Sequence, residues 1–115
     1  MNPNLDVLSD PTRRLILALI RRRNEACVCE LVAALDELQP VVFRHLAILR
    51  DAGWLVSRRE GTWMHYRFVD LPAWADDLVA ALVAGGVPQL DQKRALKLLS
   101  HFEGGPVRVP LTRAR

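Results

Sequence analysis

At Gly53 the hydrophobic period of this 115-residue chain changes, and that change limits the fold more than any other feature. Before it, apolar residues recur at helical spacing in three sets: Leu15, Ile16, Leu19 and Ile20; Leu31, Val32, Leu35 and Leu38; Val42, Leu46, Leu49 and Ala52. After it, Trp54-Leu55-Val56-Ser57-Arg58-Arg59 and Trp63-Met64-His65-Tyr66-Arg67-Phe68-Val69 are aromatic and β-branched runs separated by Glu60-Gly61-Thr62, the pattern of a hairpin. Ser9-Asp10-Pro11 places a capping Asp before a Pro at the first helical position, which predicts a helix over residues 11–23 behind a short one at residues 5–8. Only Asp36-Glu37-Leu38-Gln39-Pro40 separates the second and third apolar stripes, so two helices meet at a short turn, and Gly53 caps the third helix. Beyond the hairpin, Asp70-Leu71-Pro72 opens a helix with Trp74, Leu78, Ala81 and Leu82 on one face, broken by Gly85-Gly86-Val87-Pro88. A last helix over residues 89–102 carries Leu90, Leu96, Leu98 and Leu99 on its apolar side. A mainly α chain with a helix pair followed by a small β-hairpin has the order of a winged helix-turn-helix. Residues 1–103 form one domain in this reading, and 104–115 a disordered basic tail.

Charge marks one part of this frame. Residues 39–69 carry five Arg against two acids, whereas residues 1–38 and 70–103 are each net acidic. A basic block with acidic flanks is the footprint of a module that meets a polyanion on one face, and charge alone fits a solvated basic face equally well. Of the 16 cationic residues only Lys93 and Lys97 are not Arg, the side chain suited to bidentate contact with phosphate and guanine. No apolar run approaches the roughly 20 residues of a bilayer span. The opening Met1-Asn2-Pro3-Asn4-Leu5-Asp6 has no basic stretch followed by an apolar one. A cytoplasmic protein without membrane contact is expected. No Cys-x-x-Cys pair, Gly-rich phosphate loop or His/Asp-supported nucleophile is present, so the chain is not expected to be an enzyme or to need a catalytic cofactor.

Val42-Phe43-Arg44-His45-Leu46-Ala47-Ile48-Leu49-Arg50-Asp51-Ala52-Gly53, with the hairpin Arg58-Arg59-Glu60-Gly61-Thr62-Trp63-Met64-His65-Tyr66-Arg67, resembles the recognition helix and wing of the arsenical-repressor (ArsR/SmtB) family of bacterial metal-sensing repressors. Leu8-Ser9-Asp10-Pro11-Thr12-Arg13-Arg14-Leu15 is similar to the start of the same family, so the resemblance covers about residues 5–80. It implies a dimeric transcriptional repressor on double-stranded operator DNA. The candidate contacts on the recognition helix are Gln39, Val41, Val42, Phe43, Arg44, His45 and Arg50. Gln39 is suited to adenine, Arg44 to guanine or phosphate, and His45 to phosphate. Arg58, Arg59 and Thr62 of the wing would reach the flanking backbone or minor groove. The chain departs from the family where Leu38 and Phe43 stand in place of the usual Ser residues. Leu38 cannot cap the helix, and Phe43 can pack on a thymine methyl and alter sequence preference.

The two cysteines, Cys27 and Cys29, lie in Ala26-Cys27-Val28-Cys29-Glu30-Leu31. A disulfide between residues so close is disfavoured by strain and by a reducing cytoplasm. On a regular helix the two side chains diverge by about 200°, and they converge only where a helix starts or is distorted. Convergent thiolates bind soft ions, whereas divergent ones are two small hydrophobic residues. The string resembles the Cys-Val-Cys-acid-Leu box of arsenic- and antimony-responsive family members, which implies trivalent arsenic or antimony as inducer at Cys27 and Cys29. Val32 occupies the position where a third Cys often follows, so a third ligand would come from water, a small thiol or elsewhere. Thiol oxidation or another soft metal at the same cysteines is the competing reading. The family's Asp/His site after the wing has no His within residues 71–86, and His101 near Glu103 would bind zinc only weakly.

Half of the chain is hydrophobic, generous for its length. Leu5 and Leu8 at the front and Leu90, Leu96 and Leu99 at the back lie outside the helix-turn-helix core and are expected to build a two-fold homodimer interface.

Overall fold

A computed structural model describes residues 2–100, with the side chain of Ser100 left out of the description. A 3-10 turn at Leu5–Ser9 leads into α1 (Pro11–Arg23), β1 (Ala26–Cys27), α2 (Val28–Leu35), α3 (Gln39–Asp51), β2 (Leu55–Glu60), β3 (Trp63–Phe68), α4 (Ala73–Ala81), a π-helical turn at Leu82–Gly86 and α5 (Gln89–Ser100). The expected winged helix-turn-helix is present: α2 and α3 are the helix pair, and β2 and β3 the wing. The tail 104–115 and the pair His101 and Glu103 lie outside the described residues.

α1 starts where Asp10 accepts from the amides of Thr12 and Arg13 at 2.7 and 3.1 Å, with Pro11 at its first position. The Asp10 carboxyl sits below its ordinary pKa: burial raises it, but the two amide hydrogen bonds and nearby His45 and Arg13 outweigh that. Arg21, Arg22 and Arg23 sit in the last turn, where the helix dipole favours cations. Five consecutive residues, Ile16 to Ile20, are buried, so α1 is covered on all sides and forms the axis of the core. Leu31 and Ala34 of α2, Val42, Leu46 and Leu49 of α3, Trp54, Leu55 and Tyr66 of the wing base and Val79 of α4 pack into the same cluster. Trp54 buries its ring and donates through Nε1 to the Asn4 carbonyl at 2.8 Å, which ties the amino-terminal strand to the wing base.

Gly53 ends α3 with φ +88°, and the amide of Trp54 returns to the Leu49 carbonyl at 3.0 Å. In the hairpin Glu60 pairs with Trp63, leaving Gly61 and Thr62 as the two-residue turn, with Gly61 at φ +61° as a type II′ turn requires.

Three local expectations are corrected. β1 adds a third antiparallel strand in the order β1-β3-β2, with Cys27 opposite His65. Two residues are too few to show an alternating pattern. On α4 the buried residues are Ala75 and Val79, not Trp74, which is 41% exposed and donates to Asn2 Oδ1 at 3.3 Å. On α5 the buried positions are Gln92, Ala95 and Leu99. Gln92 accepts from Arg22 Nε at 2.7 Å and donates to the carbonyls of Val83 and Val87 at 3.0 and 2.9 Å, so one amide joins α1, the π-turn and α5. Of the expected apolar side, Leu99 is buried and Leu96 packs against the core, whereas Leu90 and Leu98 are exposed because buried Gln92 and Ala95 turn the inner face away from them.

Candidate nucleic-acid interface and thiol site

α3 presents one outward face. Gln39, Pro40, Phe43, Arg44, Arg50 and Asp51 are exposed, at positions that fall within about 140° of one another on a helical wheel, an arc that borders the one of buried Val42, Leu46 and Leu49. Val42 is therefore corrected from a groove contact to a core residue: it has no exposed surface. Val41 and His45 lie half-buried at the edge of the outward face. His45 Nδ1 meets Arg13 Nη1 at 3.2 Å, while Arg13 Nε donates to the Val7 carbonyl at 2.7 Å. A guanidinium only donates, so His45 Nδ1 accepts and its remaining N–H is on Nε2. Burial lowers the His45 pKa, and Asp10, which raises it, does not outweigh that effect together with Arg13 and Arg44. Neutral His45 thus keeps one donor for a phosphate. Arg50 pairs with its exposed neighbour Asp51 at 3.2 Å, a surface contact that little restrains it.

The wing divides its cations. Arg59 and Thr62 are exposed near the tip. Arg58, expected at the DNA backbone, is held instead in a bidentate pair: its Nε donates to Glu25 Oε2 at 3.0 Å and its Nη2 to Glu25 Oε1 at 2.8 Å. The hydrogen bond to Glu25 raises the Arg58 pKa further. Glu25 is only 5% exposed, so Arg58, itself 38% exposed, compensates a buried charge. Buried His65 stands beside this pair, with Nε2 2.9 Å from Glu60 Oε1 and Nδ1 3.9 Å from Glu25 Oε1. Sequence reasoning missed Glu25 and Glu60; His65, for which DNA contact or packing was expected, is packed. Glu25 follows Arg21-Arg22-Arg23 and reads as solvated, and only the unseen strand β1 brings it to the wing.

Cys27 is the N-cap of α2. Its backbone is extended (φ −90°, ψ 160°), its Sγ accepts from the Glu30 amide at 3.4 Å, and its own amide donates to Glu30 Oε1 at 2.9 Å. This is a reciprocal capping box with sulfur in place of the usual hydroxyl. Cys29 lies in the first turn, and the two sulfurs are joined as a disulfide across a Cα–Cα separation of 5.5 Å. The expectation against such a bridge is corrected. The divergence of about 200° applies to two residues inside a regular helix, and the extended backbone of Cys27 places it outside one. Cys27 is buried and Cys29 half-buried. Among the described residues no three His, Cys, Asp or Glu side chains gather to hold a metal ion, so the pair offers two sulfur ligands without a third.

At the termini, Leu5 and Leu90 are 52% and 65% exposed, Leu8 and Leu96 half-buried, and Leu98 also exposed. Leu99 is corrected from interface to core, being 6% exposed within the chain. No helix among the described residues is long and apolar enough to cross a membrane.

Residues 10–57 match the family described as bacterial regulatory proteins, arsR family. The chain is 46% identical over 74 residues to the arsenical resistance operon repressor of Escherichia coli, a match covering 64% of this chain and 63% of that protein. It is 41% identical over 102 residues to the arsenic resistance transcriptional regulator ArsR2 of Pseudomonas putida, covering 88% and 87% of the two chains. Among solved structures it is similar to the AntR antimony-specific transcriptional repressor, with a TM-score of 0.58 and 28% identity over 77% of this chain and 75% of that one. These relatives are transcriptional regulators and not enzymes.

Proposed function

Because the chain belongs to the arsR family of bacterial regulatory proteins, we propose that it is a metalloid-responsive transcriptional repressor. A homodimer holds double-stranded operator DNA through the outward face of α3 and the wing tips, and releases it when Cys27 and Cys29 capture trivalent arsenic or antimony. The observation that carries this reading is the double role of Cys27. The sulfur that would ligate the ion is the atom that caps α2, the first helix of the helix-turn-helix.

The sulfur pair fits a soft, thiophilic ion: both atoms converge at a helix start, where the dipole favours thiolate. A third ligand would come from water, a small thiol or a group from elsewhere, since among the described residues no third His, Cys, Asp or Glu joins the pair. Cys27 Sγ holds its hydrogen bond from the Glu30 amide while joined to Cys29, and in this reading opening the pair around an ion changes that cap. The start of α2 must then shift, and α2 packs on α3. Cys27 also stands opposite His65 on the wing strand β3, so the same displacement reaches the wing through the sheet. Both DNA-contacting parts are therefore linked to one sulfur. The names of the relatives, arsenical resistance repressor and antimony-specific repressor, support the choice of ion. Leu5 and Leu8 with Leu90, Leu96 and Leu98 supply the apolar surface for a two-fold partner, and a symmetric pair of recognition helices suits a palindromic operator.

The test is a gel shift with reduced protein on the DNA upstream of its own gene. Wild type binds and arsenite releases it, whereas Cys27→Ser and Cys29→Ser bind and are not released. Serine at position 27 is itself a good helix cap, so that variant keeps the fold while losing the ligand. Release of both variants by arsenite rejects the assignment.

The bridged state of Cys27 and Cys29 favours a second reading, in which the pair senses oxidants. Two thiols give two electrons and two protons to a peroxide, which leaves as two waters while the S–S bond forms. Release by peroxide and not by arsenite would select this reading.

A further inference from the structure

Two large apolar side chains stand uncovered on the face that the repressor reading turns to DNA. Leu38, the N-cap of α3, is 70% exposed and makes no side-chain cap hydrogen bond, and Phe43 in the second turn is 38% exposed. The fold does not need either of them, because α3 fills the core with Val42, Leu46 and Leu49. Their exposed neighbours are Gln39, Arg44 and Arg50 together with the acids Glu37 and Asp51, of which Asp51 pairs with Arg50.

This mixture narrows the occupant. A second copy of the chain set against this face would bring its own Arg44 toward a like charge, because a two-fold contact is self-complementary. Duplex DNA instead meets the cations with phosphates. In the major groove it offers one apolar group that a side chain can cover, the C5-methyl of thymine. We propose that Leu38 and Phe43 are specificity-determining residues that pack on thymine C5-methyl groups, so that operator sequence is read by methyl contact alongside the polar readout of Gln39 and Arg44. The proposal rests on the repressor reading and adds the base that the unusual part of the helix selects.

The experiment compares two synthetic duplexes of the upstream sequence, identical except that deoxyuridine replaces thymidine within the protected half-sites. Binding is followed by fluorescence anisotropy at fixed salt with reduced protein. Removing the methyl leaves every hydrogen-bonding edge unchanged. Wild type loses about 4-fold in affinity for each contacted methyl, and about 15-fold when one is removed from each half-site, from the burial free energy of one such carbon. Phe43→Leu keeps the penalty, whereas Phe43→Ser and Leu38→Ser each lose their share of it. Circular dichroism verifies that these surface variants remain folded. Equal wild-type affinity for the thymine and uracil duplexes overturns the proposal and leaves the repressor reading standing. A full wild-type penalty retained in both serine variants also overturns it, as does dissociation of the oligomer by Phe43→Ser with the penalty unchanged, which would make this face a contact between copies. Failure to bind the thymine duplex at all removes the repressor reading itself.

Discussion

The two helices of the helix-turn-helix begin in opposite ways. α2 starts inside the protein, with Cys27 fully buried and both halves of a capping box closed with Glu30. α3 starts in solvent, with Leu38 exposed and its side chain making no cap hydrogen bond; the Leu38 amide donates to Glu37 Oε1 at 3.0 Å, and Pro40 near the first turn has no N–H that would need a partner. The difference teaches that the two starts serve different events. A start held by a sulfur is coupled to whatever ligates that sulfur. A start left in solvent has its apolar side chain available to a docked partner.

The buried side should be the more fragile. Arg58→Ala removes the partner of a 5% exposed Glu25, and a net loss of about 2–3 kcal/mol is expected in urea unfolding, below the range for fully buried pairs because the Arg58 side chain is itself 38% exposed. A loss under about 0.5 kcal/mol would show that water replaces Arg58 without penalty. Glu30→Ala opens one half of the capping box and should destabilise reduced protein by about 1 kcal/mol.

At the exposed start the sign reverses. Leu38→Ser supplies the missing cap and is expected to stabilise by about 0.5–1 kcal/mol, which thermal unfolding can read. If it destabilises, Leu38 is packed against something in the functional protein, and the contrast between the two starts is wrong. The smallest effect is electrostatic and lies at the edge of α3. Burial lowers the folded pKa of His45 below its ordinary 6.5, so between the two values the unfolded chain binds more protons. Stability should therefore fall as the pH drops below about 6.5, and His45→Gln should flatten that slope.

Most of this contrast was legible in the residues. Asp10-Pro11, Gly53 and the hairpin turn announce their elements because each satisfies a local geometric demand, and α1, α2, α3, β2 and β3 lie where the spacing predicts. Leu38 was recognisable as a helix start without a cap for the same local reason. What escaped depends on distant parts of the chain. Strand β1 exists because β3 lies beside it, and with it come the disulfide geometry of Cys27, the burial of Glu25 and the capture of Arg58. Gln92 was missed as a core residue because its partners, Arg22 and the carbonyls of the π-turn, are assembled only by folding.

The central claim is that one sulfur pair and one DNA face share a free energy. Arsenite affinity of reduced protein, measured by calorimetric titration in the absence and presence of saturating operator, tests it most directly. Linkage requires that operator weaken arsenite binding by the same factor by which arsenite weakens operator binding. The account predicts weaker arsenite binding to the DNA-bound protein by that factor, and equal affinities in the two titrations would contradict it.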